Sequence, residues 1–302
     1  MGKLQTVIVV AVAYLVLGAF SAFFAYSDQD AWGVWLTSGL GLGLLLGRAR
    51  SDWVPVLAGA FLGALIFEPL VGSSLGDSLG FALIEVVATV AGGVAAAKIS
   101  PPPLQFASPR DVAAIVAGAL ALALTGAVLI GLWEYLVGRT DAWHTFGVWL
   151  LGNFVAMLLI APFIAAWAQF RLERMDARAL LNFIGGVAAC ALFLLCVHAL
   201  FSAAPAAPFL QSLGIGLTLR PFVLVVLVAL TGGARGATLA ALAGALVAIT
   251  QTVRGFGPFL GTDGLFADPV LSAQAYAVAL SITGLLVATV VKGRRAAAQT
   301  YA

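Results

Sequence analysis

The chain has 302 residues, of which 62% are hydrophobic and only 9% charged, with a mean hydropathy of +1.08. Soluble domains carry roughly 25% charged residues to cover their surface, so the composition excludes one and points to a bilayer. A spanning helix takes about 20 apolar residues and connections are short, so the length divides into roughly ten spans with no room left for a soluble domain. The net charge of +2 is too small to argue for nucleic acid.

The first apolar run, 4–24, follows Lys3 and is longer than the roughly 7 to 15 residues of a signal-peptide core, so it reads as an uncleaved span. A second, short run over 31–46 carries Gly39, Gly41 and Gly43, and after Gly47-Arg48-Ala49-Arg50 come a third over 53–67 and a fourth over 75–97. Ser100-Pro101-Pro102-Pro103 stops helix continuation. Further spans are expected over 111–136, 145–167, 180–201, 214–231, 236–253 and 270–291. All are read as helices, because lipid offers no partner to an unpaired backbone group. Of the 15 lysines and arginines, all but Arg139, Arg220 and Arg254 fall at alternate ends on the side of the amino terminus. The positive-inside bias therefore predicts an all-α polytopic bundle with both termini cytoplasmic.

Leu57-Ala58-Gly59-Ala60 recurs as Leu242-Ala243-Gly244-Ala245, and at the same offset Gly47, Ala49 and Arg50 match Gly232, Ala234 and Arg235. These matches suggest a parallel internal repeat, with units 1–98 and 179–295 inside a single membrane domain over 1–302. Its second and eighth spans would then be equivalent, one interrupted by glycines and the other by Arg220-Pro221, a pattern that points to a binding site.

Ionisable residues within apolar spans cost about 2.5 to 3.5 kcal/mol each at mid-bilayer and need a reason. Glu85 and Arg220 are expected at equal depth below the outer surface, as a pair that binds or switches or as an interhelical ion pair. Glu68 and Glu134 lie nearer the outer surface and read as solvated. Asn153 and His198 are polar positions in the same outer half, each readable as a ligand or as helix-to-helix glue. Together with Trp35, the candidate ligand-binding set is Trp35, Glu85, Asn153, His198 and Arg220. Two histidines, His144 and His198, without a paired motif argue against a metal, and no cofactor is implied. The pattern Gly72-Ser73-Ser74-Leu75-Gly76 begins a membrane helix and does not make a nucleophile elbow. Cys190 and Cys196 fall on different faces of one run and read as core thiols. Gly39-x-x-x-Gly43 and Gly59-x-x-x-Gly63 allow close helix approach and speak for packing, with a homodimer left open. Trp32, Trp53 and Trp143 read as aromatic anchors at span ends.

Three signatures follow one another along the chain: Trp35-Leu36-Thr37-Ser38-Gly39 with Trp53-Val54-Pro55, then Trp149-Leu150-Leu151-Gly152-Asn153 with Ala161-Pro162, then Gly233-Ala234-Arg235-Gly236 with Gly255-Phe256-Gly257-Pro258-Phe259. In that order they resemble the first type of bacterial membrane-associated sensor domain, an integral membrane sensory domain of the MASE family. That family usually has prolines after the first tryptophan and an aspartate where this chain has Asn153. The resemblance implies a non-enzymatic sensory input module that binds a small ligand or a membrane partner. Its last helix is commonly joined to a cytoplasmic histidine kinase or diguanylate cyclase. The output end would be Lys292, Arg294 and Arg295, and no soluble output domain is expected within the 302 residues. A transporter or permease-like protein is the alternative, supported by the repeat and the interrupted helices.

Overall fold

In a helix as short as eleven residues, the first four N–H and last four C=O groups are more than a third of the backbone polar groups, so such an element survives in lipid only if its ends are satisfied by neighbours. The second helix of this protein is of that kind. In the computed structural model, which describes residues 2–21, 35–138, 142–168, 177–202, 217–260 and 269–300, the helices are α1 (Lys3–Ser21), α2 (Leu36–Leu46), α3 (Trp53–Leu70), α4 (Leu75–Ile99), α5 (Pro109–Leu136), α6 (Ala142–Trp167), α7 (Ala177–Phe201), α8 (Arg220–Val253) and α9 (Pro269–Thr300). Among the described residues there is no strand. The all-α fold class is therefore as the sequence predicts.

Every residue of α2 is buried. Its amino end is held by Ser21 at the end of α1, whose hydroxyl accepts from Leu36 N at 3.1 Å. Its carboxyl end is held by the indole of Trp53, which donates to Leu45 O at 3.0 Å, and by Leu104 N, which donates to Leu46 O at 2.9 Å. Trp53, expected as an anchor at the headgroups, is thus a buried strut with the Arg50 guanidinium 5.6 Å over its ring. Trp143 is 84% exposed, and Trp32 lies outside the described residues.

The glycines of α2 explain its neighbours. A Cβ on Gly39 would lie 2.5 Å from Ile160 Cβ, on Gly43 2.8 Å from Ala161 O, and on Gly47 2.9 Å from Ala168 Cβ, so one glycine stripe seats α2 against α6 and the residue after it. On α3, Gly59 and Gly63 do the same against α1, where a Cβ would meet Val7 O at 2.7 Å and Tyr14 Cβ at 2.5 Å. Both Gly-x-x-x-Gly motifs are used inside the chain. The start of α4 is set by Ser74, whose Oγ accepts from Asp77 N at 3.1 Å and donates to Asp77 Oδ2 at 2.8 Å. Asp77 Oδ1 then accepts from Trp133 Nε1 of α5 at 3.0 Å. The Gly-x-Ser-x-Gly run is therefore helix-start chemistry, and Ser73 donates to Glu68 Oε2 at 2.7 Å.

The chain forms two compact units, one of Met1–Leu104 with Ala113–Gln169 and one of Gln105–Val112 with Phe170–Ala302. In the second, α7 and α9 both pack on α8. A straight helix of 34 residues would be about 51 Å long. Instead, Gly233 takes φ 60° and ψ −154° inside α8, a left-handed φ open to glycine. A Cβ on Gly236 would sit 3.3 Å from Val228 Cγ1, although eight residues along one helix are about 12 Å apart. The helical run therefore turns back on itself at Gly233, and Ala229 and Ala237 share one core cluster with Ala288 of α9. Among the described residues, eight helices are long and apolar enough to cross a membrane, with α8 counted once and the shorter α2 apart. Where they are described, the stretches expected as an eighth and a ninth span fall in the two arms of α8, which counts here as one candidate span.

Candidate functional site

In the first unit, α2, α4 and α6 each bring one buried polar side chain to the same point. Ser38 of α2 lies with its Oγ 2.7 Å from Asn153 Oδ1 of α6 and 3.1 Å from Glu85 Oε2 of α4. All three residues are at least 95% buried. Asn153 is oriented by its own helix, since its Nδ2 donates to Trp149 O at 2.8 Å one turn earlier. The other carboxyl oxygen, Glu85 Oε1, is buried without a hydrogen-bond partner. Around the three residues runs a narrow crevice whose walls include Trp149, Ile84 and Leu122 of α5 and which, as it stands, is too tight for a water molecule.

Of the residues expected to bind a ligand, Glu85 and Asn153 are brought together, and the residue that joins them, Ser38, was not singled out in the sequence. A serine in a helix rich in glycine reads as a small packing residue. The available signal was that Thr37 and Ser38 are the two hydroxyls in an otherwise apolar α2 and fall within the first signature. Trp35 stands just before α2 and packs edge-on to Phe67 of α3 at 5.8 Å, in the core beside Tyr14. It supports the start of α2 and does not line the crevice. His198 and Arg220 belong to the second unit, so the expected Glu85–Arg220 pair is not part of either unit's own packing. His198 is exposed on α7, whereas Arg220 is buried at the start of the first arm of α8. Glu68 and Glu134, expected to be solvated, are both 8% exposed.

The second unit gathers aromatic rings. Phe201 of α7, Phe222 of α8 and Phe259 surround Tyr276 of α9 at ring distances of 5.4 to 5.9 Å, and the Tyr276 hydroxyl donates to Thr218 O at 2.8 Å. Gly257, at φ 112°, lets Phe201 approach, since a Cβ there would meet its ring at 2.7 Å. The Gly-Phe-Gly-Pro-Phe signature is thus a turn that closes this cluster. At the other end of α9, Lys292 Nζ donates to Gln105 O, and a Cβ on Gly293 would meet Ala107 O at 2.6 Å. Arg294 is exposed, and the Arg295 side chain lies outside what the structure describes.

A family model described as MASE1 matches residues 4–295, nearly the whole chain. Comparison with curated proteins and with solved structures finds no match.

Proposed function

The chain belongs to the MASE1 family of membrane sensory domains, and we propose that it is the input module of a bacterial signalling system, with its stimulus read at Ser38, Glu85 and Asn153. As a multi-pass membrane protein it would reside in the inner membrane, with both termini cytoplasmic and about ten membrane-crossing or membrane-embedded segments once α2 and the two arms of α8 are included. The observation that carries the reading is the Ser38 contact, which ties α2 to both α4 and α6 at a buried polar point. A polar group in a membrane interior is costly, and three converging on one crevice make a site that a change of occupancy can rearrange.

The output reading rests on α9. Its inner end is held to the connector before α5 by Lys292 and by the close fit of Gly293. A displacement of the helix would break that seat and pass to a cytoplasmic histidine kinase or diguanylate cyclase, joined in line or acting as a partner. The protein itself would carry out no chemistry. The repeat supports the same plan. Gly59 packs on α1 as its counterpart Gly244 packs on Phe193 of α7, and the counterparts Gly72 and Gly257 both take positive φ.

The test is a fusion of the chain to a kinase or cyclase domain, read in membranes, with Ser38→Ala and Asn153→Ala changing the output while insertion is retained. A flexible Gly-Ser linker after Arg295 should uncouple output from input, and undiminished signalling through it would remove the relay. Cysteine labelling of Ser73 from outside and of Ser108 and Gln299 from inside tests the orientation. The repeat and the reversal within α8 also favour a transporter reading, and substrate counterflow in proteoliposomes would establish it.

A further inference from the structure

The hydrogen bonds around Ser38 can be counted. A hydroxyl has one proton, yet Ser38 Oγ is within bonding distance of two acceptors, Asn153 Oδ1 at 2.7 Å and Glu85 Oε2 at 3.1 Å. The orientation of the Asn153 amide is fixed by Trp149 O, 2.8 Å from Nδ2, because a flipped amide would press two oxygens together. Oδ1 therefore faces Ser38, and the proton in the shorter contact belongs to Ser38. The longer contact then lacks a proton unless the Glu85 carboxyl supplies it.

We infer that Ser38, Glu85 and Asn153 form a proton-binding site, in which the proton on the Glu85 carboxyl is donated to Ser38 Oγ and frees the Ser38 proton for Asn153. Protonated, the site is a chain of donors running from α4 through α2 to α6. When the proton leaves Oε2 for solvent, the carboxylate claims the Ser38 proton. Ser38 Oγ and Asn153 Oδ1 then face each other with no proton between them, and the tie between α2 and α6 must open. The crevice is suited to this ligand because it has no room for water, so a larger occupant would first have to part the helices. The titratable groups that bear on Glu85 are Glu68 from α3 and Tyr14 from α1. From α2 and α6 it meets Ser38, Trp149 and Asn153, and from α5 Leu122, Ala123 and Gly126, none of which titrates. On α4 itself, Asp77 and Lys98 stand in the first and last turns. Among the described residues no cation pairs with Glu85.

This site deepens the sensory reading but is tested without it, by infrared difference spectroscopy of the full chain in lipid nanodiscs between acid and alkaline buffer. The expected result is a protonated-carboxyl carbonyl band that shifts down in deuterium oxide and disappears in Glu85→Gln. In Ser38→Ala, which keeps the carboxyl but removes its acceptor, the band should move to higher frequency. Ser38→Ala also serves if Glu85→Gln does not fold. A spectrum unchanged by Glu85→Gln, or a band that Ser38→Ala does not move, overturns the proposal. A band that behaves as expected in a chain whose fused output ignores pH would keep the proton site and remove its use as the stimulus.

Discussion

The two units build the same kind of helix contact and use it differently. At one constant sequence offset, Gly59 stands against α1 and Gly244 against α7, while Trp35 at the start of α2 corresponds to Arg220 at the start of α8. The scaffold residues agree and the polar ones do not: Ser38 has Val223 as its counterpart, and Glu85 has Val270. The burial differs in the same sense. All of α2 is buried, whereas Val223 is 55% exposed. Small residues allow the approach of helices in both units, and the polar point in the first lies where the residues at this offset differ and α6 covers α2.

Overfilling the interface peculiar to the first unit should have the largest effect. Gly43→Leu would drive a side chain into Ala161 O and Ile164 Cβ, and we expect no monodisperse protein on size-exclusion chromatography. Gly185→Leu in the second unit, where an added Cβ meets nothing within 4 Å, should be recovered normally. Loss of both would deny that the stripe is special.

The equivalent glycines give a finer comparison. Gly59→Ala meets the backbone oxygen of Val7, which cannot step aside, and should cost about 2 to 3 kcal/mol. Gly244→Ala meets the ring of Phe193, which can tilt, and should cost under about 1 kcal/mol. Denaturation in mixed micelles orders the two, and the reverse order would sink the argument from backbone against side chain.

Removing the joining hydroxyl comes next. Ser38→Ala leaves Asn153 Oδ1 and the Glu85 carboxyl without their partner and should destabilise by about 1 to 2 kcal/mol. Val223→Ala at the equivalent place, half out of the protein, should change stability by under about 0.5 kcal/mol. The smallest effect on stability is expected from Lys292→Ala, within about 0.5 kcal/mol, because Lys292 is exposed. Its readout is the output of a fused kinase, and an unchanged output would mean that the bond to Gln105 is incidental.

Much of this organisation was legible in the sequence because lipid narrows the choices. Long apolar runs had to be helices, and the turn within α8 was marked by Thr231-Gly232-Gly233-Ala234, where the expected eighth and ninth spans divide. Glu85 and Asn153 stood out because polar groups are rare in such runs. What stayed hidden depended on partners distant in sequence. Glu68 and Glu134 are near span ends and so read as wet, but packing buries both. Trp53 had the position of an interfacial anchor, yet its ring nitrogen serves the last turn of α2. Ser38 was hidden for a similar reason, since its role comes from residues 47 and 115 positions away.

The complete burial of α2 bears on how the protein is made. About 16 Å of helix is half the thickness of a hydrocarbon core, so α2 cannot settle as a spanning segment by partition alone. The helix that covers its glycine stripe, α6, is finished more than a hundred residues later in the chain. At about 5 to 20 residues per second, the ribosome leaves that stripe uncovered for roughly ten seconds. During that interval the serine and the glycine stripe of α2 face no α6, and α2 is held only by the elements made before α6, namely α1, α3, α4, α5 and the connector at Leu104, which makes the arrival of α6 the step that commits the first unit to its fold.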